Sequence, residues 1–147
     1  MLNITVKKFS DLNTTELYGV LQLRNEIFVV EQDCVYQDLD GKDMKALHVL
    51  GMKNEKVVAY TRLFKPGDYF DQASIGRVAV DAKERSFGYG KDIMQASIAA
   101  VNDNFNTTEI KLSAQTYLLR FYGDLGFKPI GETYLEDGIP HIAMIKN

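Results

Sequence analysis

The sequence has no tryptophan, a single cysteine, three prolines and only two histidines. Each scarcity excludes something. One cysteine, Cys34, cannot close an internal disulfide, so a reducing, cytoplasmic location is expected. A lone cysteine and two histidines far apart in the chain, His48 and His141, do not make a zinc site unaided, and no metal is expected. Few prolines and 11 glycines leave out the collagen-like and low-complexity classes. No apolar run approaches the roughly 20 residues of a membrane span, and Met1–Lys8 lacks the basic-then-apolar layout of a secretory signal, so no membrane association is expected. Nor is there a surplus of positive charge. Against 17 Lys and Arg stand 20 Asp and Glu, a net charge of −3, whereas a general nucleic-acid binder needs clustered basic residues to neutralise phosphates. What the chain does have is 147 residues, 46% of them hydrophobic, which suits one domain over 1–147 with a core that needs no covalent staples.

Residues 2–9 alternate loosely, Leu2, Ile4 and Val6 against Asn3, Thr5 and Lys7, as a strand with one buried face does. Asn13, followed three residues later by Glu16, predicts a capped helix start. Leu17, Val20, Leu21, Arg24, Ile27 and Phe28 then fall on one helical face. The segment 31–45 is acidic and aperiodic, with Glu31, Asp33, Asp38, Asp40 and Asp43, and reads as a long loop of the kind usually kept for function. Strands are predicted over 46–53 and 56–64, joined by the turn Asn54-Glu55, and again over 74–80 and 109–115. A helix opens near Gly90, with Ile93, Met94, Ser97, Ile98 and Val101 at helical spacing. A short one spans 117–125, stopped by Gly126. Two last strands, 129–135 and 139–145, flank Glu136-Asp137-Gly138, a strong hairpin signal. The order β-α-loop-β-β-β-α-β-α-β-β gives an α/β chain of the α+β kind, a mixed sheet with helices on its faces, because consecutive strands exclude a purely alternating doubly wound sheet.

The most informative stretch is Val78-Ala79-Val80 followed by Arg85-Ser86-Phe87-Gly88-Tyr89-Gly90-Lys91 and an amphipathic helix. The two glycines let the backbone turn sharply and approach a ligand. A helix opening there aims unpaired N–H groups and its positive dipole end at the loop, which suits a phosphate. Two familiar phosphate loops do not fit. A P-loop needs glycine where Arg85 stands and Ser or Thr after the lysine, where Asp92 stands; the dinucleotide fingerprint needs a third glycine, where Ile93 stands. What remains is Arg-x-x-Gly-x-Gly after a Val-x-Val strand.

That pattern resembles motif A of the GNAT superfamily of N-acetyltransferases. The resemblance continues through Ala114, Tyr122 and Gly126-Phe127, spaced Ala-x7-Tyr-x3-Gly-Phe. Phe28-Val29-Val30-Glu31-Gln32, Tyr36 to Gly41, Ile75-Gly76-Arg77-Val78 and Glu136 to His141 are similar to the ElaA-type branch, so it covers nearly the whole chain, from about Leu17 to Met144. The resemblance implies an acyl-CoA N-acyltransferase fold whose central sheet splays at a cofactor cleft, with acetyl-CoA as donor. By the same analogy, Val78 and Val80, with Ala79 between them, pair through their backbone with the pantetheine arm. The amides of Ser86, Phe87, Gly88, Tyr89, Gly90 and Lys91, with the Arg85 side chain nearby, hold the pyrophosphate, and Tyr122 is the general acid for the departing thiolate.

Elementary chemistry agrees with that outline. Acetyl transfer from a thioester needs an oxyanion donor, a base for the amine and a proton for sulfur. A phenol, protonated at neutral pH, can supply the last. For the base the candidates are His141, Glu31 and Glu136, acting directly or through water; an amine that arrives neutral needs none. Glu31, Asp38, Asp40 and Glu136 are expected to form a negative rim that attracts an ammonium-bearing acceptor, a small molecule or a peptide; the alternative is a solvated loop. Arg24 and Arg77 are expected to pair with these carboxylates and fix the loop, and His48 to be a satisfied core histidine. Cys34 as an acyl carrier is disfavoured, because the family transfers directly. Two other readings are an acyl-CoA sensing module without turnover and an ATP- or NAD-binding protein using the same glycine loop. Exposed apolar residues on the last strands would support a homodimer.

Overall fold

A computed structural model describes residues 2–147. Its seven strands form one sheet in the order β1-β2-β3-β4-β5-β7-β6: β1 Asn3–Lys8, β2 Leu47–Lys53, β3 Lys56–Phe64, β4 Ala73–Val80, β5 Ile110–Gln115, β6 Lys128–Glu136 and β7 Ile139–Lys146. Neighbours are antiparallel except β4 and β5, which run parallel. The mixed sheet, the order of elements and most boundaries agree with the sequence reading to within a residue or two. At Asp137 (φ 51°) and Gly138 (φ 77°) the β6–β7 turn adopts the left-handed backbone that an Asp-Gly hairpin calls for.

The helices divide between the two faces. Helices α2 (Tyr89–Phe105) and α3 (Leu119–Asp124) bury Ile93, Met94, Val101 and Tyr122 against Val49, Ala59, Ile75 and Leu112. On the other face α1 (Thr14–Arg24) packs Val20 and Leu23 against Leu50, Tyr60 and Ala79. Its start is the expected one: Asn13 Oδ1 accepts from the Glu16 N–H and Glu16 reaches back to the Asn13 N–H. The buried stripe is Val20, Leu23, Arg24 and Ile27, so Leu23 takes the place foreseen for Leu21.

Two irregularities shape the cleft side of the molecule. After Arg24 the helix does not stop but widens through Asn25–Glu31. Gln32 N–H bonds back to Ile27 C=O and Cys34 N–H to Val29 C=O, the i→i+5 spacing of a π-turn, a feature common at functional sites. In β4, pairing with β3 skips between Tyr60 and Arg62, opposite Gly76 and Ala79, and Arg77 stands at φ 50°. This bulge switches the side-chain alternation. Ile75 faces the α2 core, and after the extra residue Val78 and Val80 face it too.

Candidate active site

Strands β4 and β5 pair only at Ala73↔Ile110 and Ser74↔Lys111, after which they part. Asp81 N–H donates to Val58 C=O in β3, so by alternation Ala79 also turns its backbone to β3, while Val78 and Val80 turn theirs to the gap. Val80 C=O receives the Arg85 side chain (Nε, 3.1 Å) rather than a strand. The gap widens into a cavity of about 620 Å³ lined by Val78, Ala79, Val80, Arg85, Gly90, Tyr122 and His141, among others. That volume is in the range of small-molecule sites.

The loop at one end of the cavity has the expected form. Residues Ala82–Phe87 make a tight turn, Gly88 sits left-handed at φ 77° and α2 follows. The first helical hydrogen bond runs from Asp92 N–H to Gly88 C=O, leaving the Tyr89, Gly90 and Lys91 amides without helical partners. Arg85 and Gly90 line the cavity, whereas Ser86, Phe87, Gly88, Tyr89 and Lys91 form the turn around them. Tyr89 turns its ring into the core and Phe87 leaves its ring exposed.

Tyr122 and His141 both line the cavity. Tyr122 lies on α3, its ring edge-on to Phe121 and Phe127. Burial, reinforced by Tyr117, pushes its phenol above the ordinary range, so it stays protonated. His141 on β7 is buried, and its Nδ1 is 2.7 Å from Ile139 C=O. A carbonyl only accepts, so Nδ1 carries a proton, and in the neutral ring Nε2 is the atom with the lone pair. The Glu136 Oε2 lies 3.4 Å from that Nε2, placed to face a positive charge formed there. Glu31, at the end of the widened helix, forms a two-pronged ion pair with Arg85 (Nη1 to Oε2, 2.9 Å). The carboxylate foreseen for substrate thus meets the arginine foreseen for the donor.

Asp38 and Asp40 do not line the cavity, which corrects the expectation of a continuous acidic rim. The reason is an ion network that holds both. Asp38 accepts from Arg24 Nε (2.8 Å) and contacts Arg77 Nε (2.7 Å). Asp40 takes two bonds from Arg62 (2.9 and 2.8 Å), and Asp43 bridges Arg24 (2.7 Å) and Arg62 (3.0 Å). For Asp40, burial alone would raise the carboxyl, but the Arg62 hydrogen bonds and the Lys42 amide outweigh it and hold it at about 2. The pairing of Arg24 and Arg77 with the loop is as foreseen, and His48 is satisfied in the core by Tyr60 Oη (2.6 Å) and Asp43 C=O (2.9 Å). Arg62 and Asp43 complete a balanced set of three cations and three anions. Neither residue carries a local signal for it.

Comparison with known proteins agrees with this geometry. The family model of the acetyltransferase (GNAT) domain matches residues 14–147. The chain belongs to the GNAT acetyltransferase family. Protein ElaA of Escherichia coli K12 is 42% identical over 139 residues, covering 93% of this chain and 91% of that protein. The crystal structure of an acyl-CoA N-acyltransferase from Pseudomonas aeruginosa, 40% identical, superposes with a TM-score of 0.93 over 99% of this chain and 100% of its own. That of Escherichia coli ElaA, 39% identical, gives 0.93 over 100% of both. As a GNAT acetyltransferase, the protein catalyses acyl-CoA-dependent transfer, and its cavity fits such a donor. The strand edge at Val78 and Val80 is unpaired on the cleft side. At Gly90 an added Cβ would stand 3.5 Å from Phe121 and 3.8 Å from Val80, so a methyl would fit there in ordinary contact, on the wall of the groove. Several cleft residues carry no motif of their own: Ser113, Gln115 and Tyr117. Ser113 and Gln115 alternate along β5, and that parity was the only available signal.

Proposed function

We propose that the protein is a cytoplasmic N-acetyltransferase, a single domain over 1–147, that moves the acetyl group of acetyl-CoA to a primary amine on a small molecule or peptide by direct attack. The observation that carries this reading is the convergence on one cleft of an unpaired strand edge with two proton-handling side chains, Tyr122 and His141. The thioester supplies an activated acyl group, and the chain supplies the rest. Backbone N–H groups of the splayed strand around Val78 face the charge that develops on the carbonyl oxygen. The Tyr89, Gly90 and Lys91 amides, with Arg85, hold the pyrophosphate. His141 Nε2 takes the proton that the attacking amine must lose, and Glu136 faces the imidazolium so formed. The Tyr122 hydroxyl, kept protonated by burial, donates to the departing thiolate. Glu136 offers a carboxylate to the ammonium form of the acceptor; Glu31, whose two oxygens are held by Arg85, lines the cleft as part of an ion pair, and Asp38 and Asp40 serve through the loop they anchor.

Calorimetric titration with acetyl-CoA, with ATP and NAD as controls, followed by an amine panel of polyamines and peptide N-termini, tests the reading. Saturable binding of acetyl-CoA alone, with turnover on at least one amine, is the expected result. Binding without turnover would favour an acyl-CoA sensor, and no binding by the folded protein would overturn the assignment. The edge strand β6, with Ile130 and Leu135 exposed, is the surface on which a second copy would pair, and sedimentation velocity reads that directly.

A further inference from the structure

His141 has one support that the motif and the proposed chemistry leave unassigned. Its ring stacks on that of Tyr134, with centroids 6.2 Å apart and planes at 23°. The Tyr134 hydroxyl in turn hydrogen-bonds Ser113 Oγ on β5. Three strands thus meet on one side chain: Ser113 from β5, Tyr134 from β6 and His141 from β7. The register is arranged for it. Pairing of β6 with β7 breaks after Ile130↔Ala143 and resumes at Tyr134↔His141, with Gly131 left-handed at φ 72° inside the break. So β6 spends four steps where β7 spends two, and regains its partner opposite the histidine. Bulges next to active sites commonly re-aim a side chain in this way.

Tyr134 has little to do for the core. It is 40% exposed on a strand whose residues are all exposed, and it does not line the cavity. Its ring contact is with His141 and its hydroxyl contact with Ser113. An imidazole held only by the Nδ1 bond to Ile139 C=O can still pivot about that bond. A flat ring against its face, itself pinned by a hydroxyl, removes the pivot and keeps Nε2 in the cleft. Misplacement of a reacting group by about 1 Å can cost on the order of a hundredfold in rate.

We infer that Tyr134, anchored by Ser113, is a positioning residue that fixes the His141 imidazole with Nε2 directed at the acceptor amine. The inference rests on the proposed role of His141 as base. Its test uses the full chain with acetyl-CoA and the amine that turns over fastest in the panel. Tyr134→Ala is expected to lower kcat about tenfold with KM for acetyl-CoA unchanged. Tyr134→Phe, which keeps the stack, returns to within about threefold of wild type, and Ser113→Ala falls between wild type and Tyr134→Ala. In the proton NMR spectrum, the ring-current displacement of the His141 ring protons persists in Tyr134→Phe and disappears in Tyr134→Ala. His141→Ala separates the two claims. If it turns over like wild type, the base assignment fails and this inference with it. If it is impaired while Tyr134→Ala keeps full kcat, or if the His141 resonances do not move in Tyr134→Ala, the positioning role alone is overturned. Should Tyr134→Ala not fold, Tyr134→Leu, which keeps apolar bulk but removes the flat ring, overturns it equally if its kcat is unchanged.

Discussion

The two walls of the cleft are held by opposite means. On one side, loop 32–45 is fixed from beneath by Arg24, Arg62 and Arg77, of which Arg24 is fully buried, through Asp38, Asp40 and Asp43. On the other side, the β6–β7 hairpin is an exposed edge, and its grip on the site consists of a stacked ring, a hydroxyl bond and the His141–Glu136 contact. Buried charges set a shape that tolerates little change, because each ion removed leaves another unpaired in low dielectric. An edge strand can change its side chains without disturbing the core. The difference suggests a division of labour: the loop wall fixes the width of the cleft, and the hairpin wall carries His141, the base in the proposed mechanism, on a more adaptable support.

Breaking the loop wall carries the largest expected effect. Arg24→Ala removes the fully buried cation that Asp38 and Asp43 share, leaving Asp38 only Arg77 and Asp43 only Arg62, and the loss of stability is expected to be about 3 kcal/mol, measured by urea denaturation. Asp40 is partly exposed, and without its charge Arg62 keeps Asp43 and Arg77 keeps Asp38, so Asp40→Asn loses much less. Next in size is Tyr122→Phe, on α3 and outside both walls. It is expected to lower kcat about a hundredfold, about 2.7 kcal/mol of transition-state stabilisation, while the melting temperature hardly moves. Equal turnover in the two proteins would remove the phenol from the mechanism.

The contrast between the walls also explains what could be read in the chain beforehand. The strands, the Asn13 cap, the Asp137-Gly138 turn and the Arg85-x-x-Gly88-x-Gly90 loop are local signals, each decided within a few residues, and they were legible. The pairing of Arg24 and Arg77 with the acidic loop was legible too, but the parts of Arg62 and Asp43 in the network, and which aspartates it consumes, are settled only by the fold. An acidic loop therefore looked like a substrate rim when two of its aspartates were already engaged. The same holds for Tyr134 and Ser113, whose meeting depends on a register break in β6 that no alternation pattern announces. The Arg77 bulge went unseen because a positive φ at arginine has no sequence signature. The widened turn after Arg24 preserves an apolar spacing close to that of an α-helix, and so it too was hidden.

Acid should loosen the loop wall in two stages. Burial holds the His48 imidazole below its ordinary 6.5, against the smaller pull of the Asp43 carbonyl and carboxylate. The unfolded chain therefore binds the extra proton first, and stability begins to fall as pH drops through about 6.5. His48→Gln, which keeps an amide in place of the ring, should remove this first stage. The second stage belongs to Asp40 and Asp43, whose carboxyls the arginines hold low despite burial. For Asp40 the stabilisation is complete above 3.8, the unfolded value, and is lost as pH falls toward the folded value of about 2. Solvent access to Asp40 keeps its share modest. Melting temperatures recorded from pH 7 to 2 check both stages, and a single step below pH 4 would mean that His48 is not held neutral.

The smallest effect is expected where the walls touch. Cys34 Sγ donates to Asp137 C=O at 3.4 Å, tying the loop to the hairpin tip by a weak thiol bond. Removing it in Cys34→Ala leaves no buried charge and no unpaired donor, so the cost should stay within about 0.5 kcal/mol, and kcat within about twofold. The same variant decides a chemical question. Cys34 lines the cleft, and if the acyl group passed through its sulfur, Cys34→Ala would be inactive and the wild-type protein mixed with acetyl-CoA would gain the mass of an acyl group. Direct attack predicts neither: turnover persists, and intact-mass spectra of the wild type stay unchanged before and after donor is added. The two walls would then be mechanically joined at Cys34 but chemically independent there, with no acyl group passing through its sulfur.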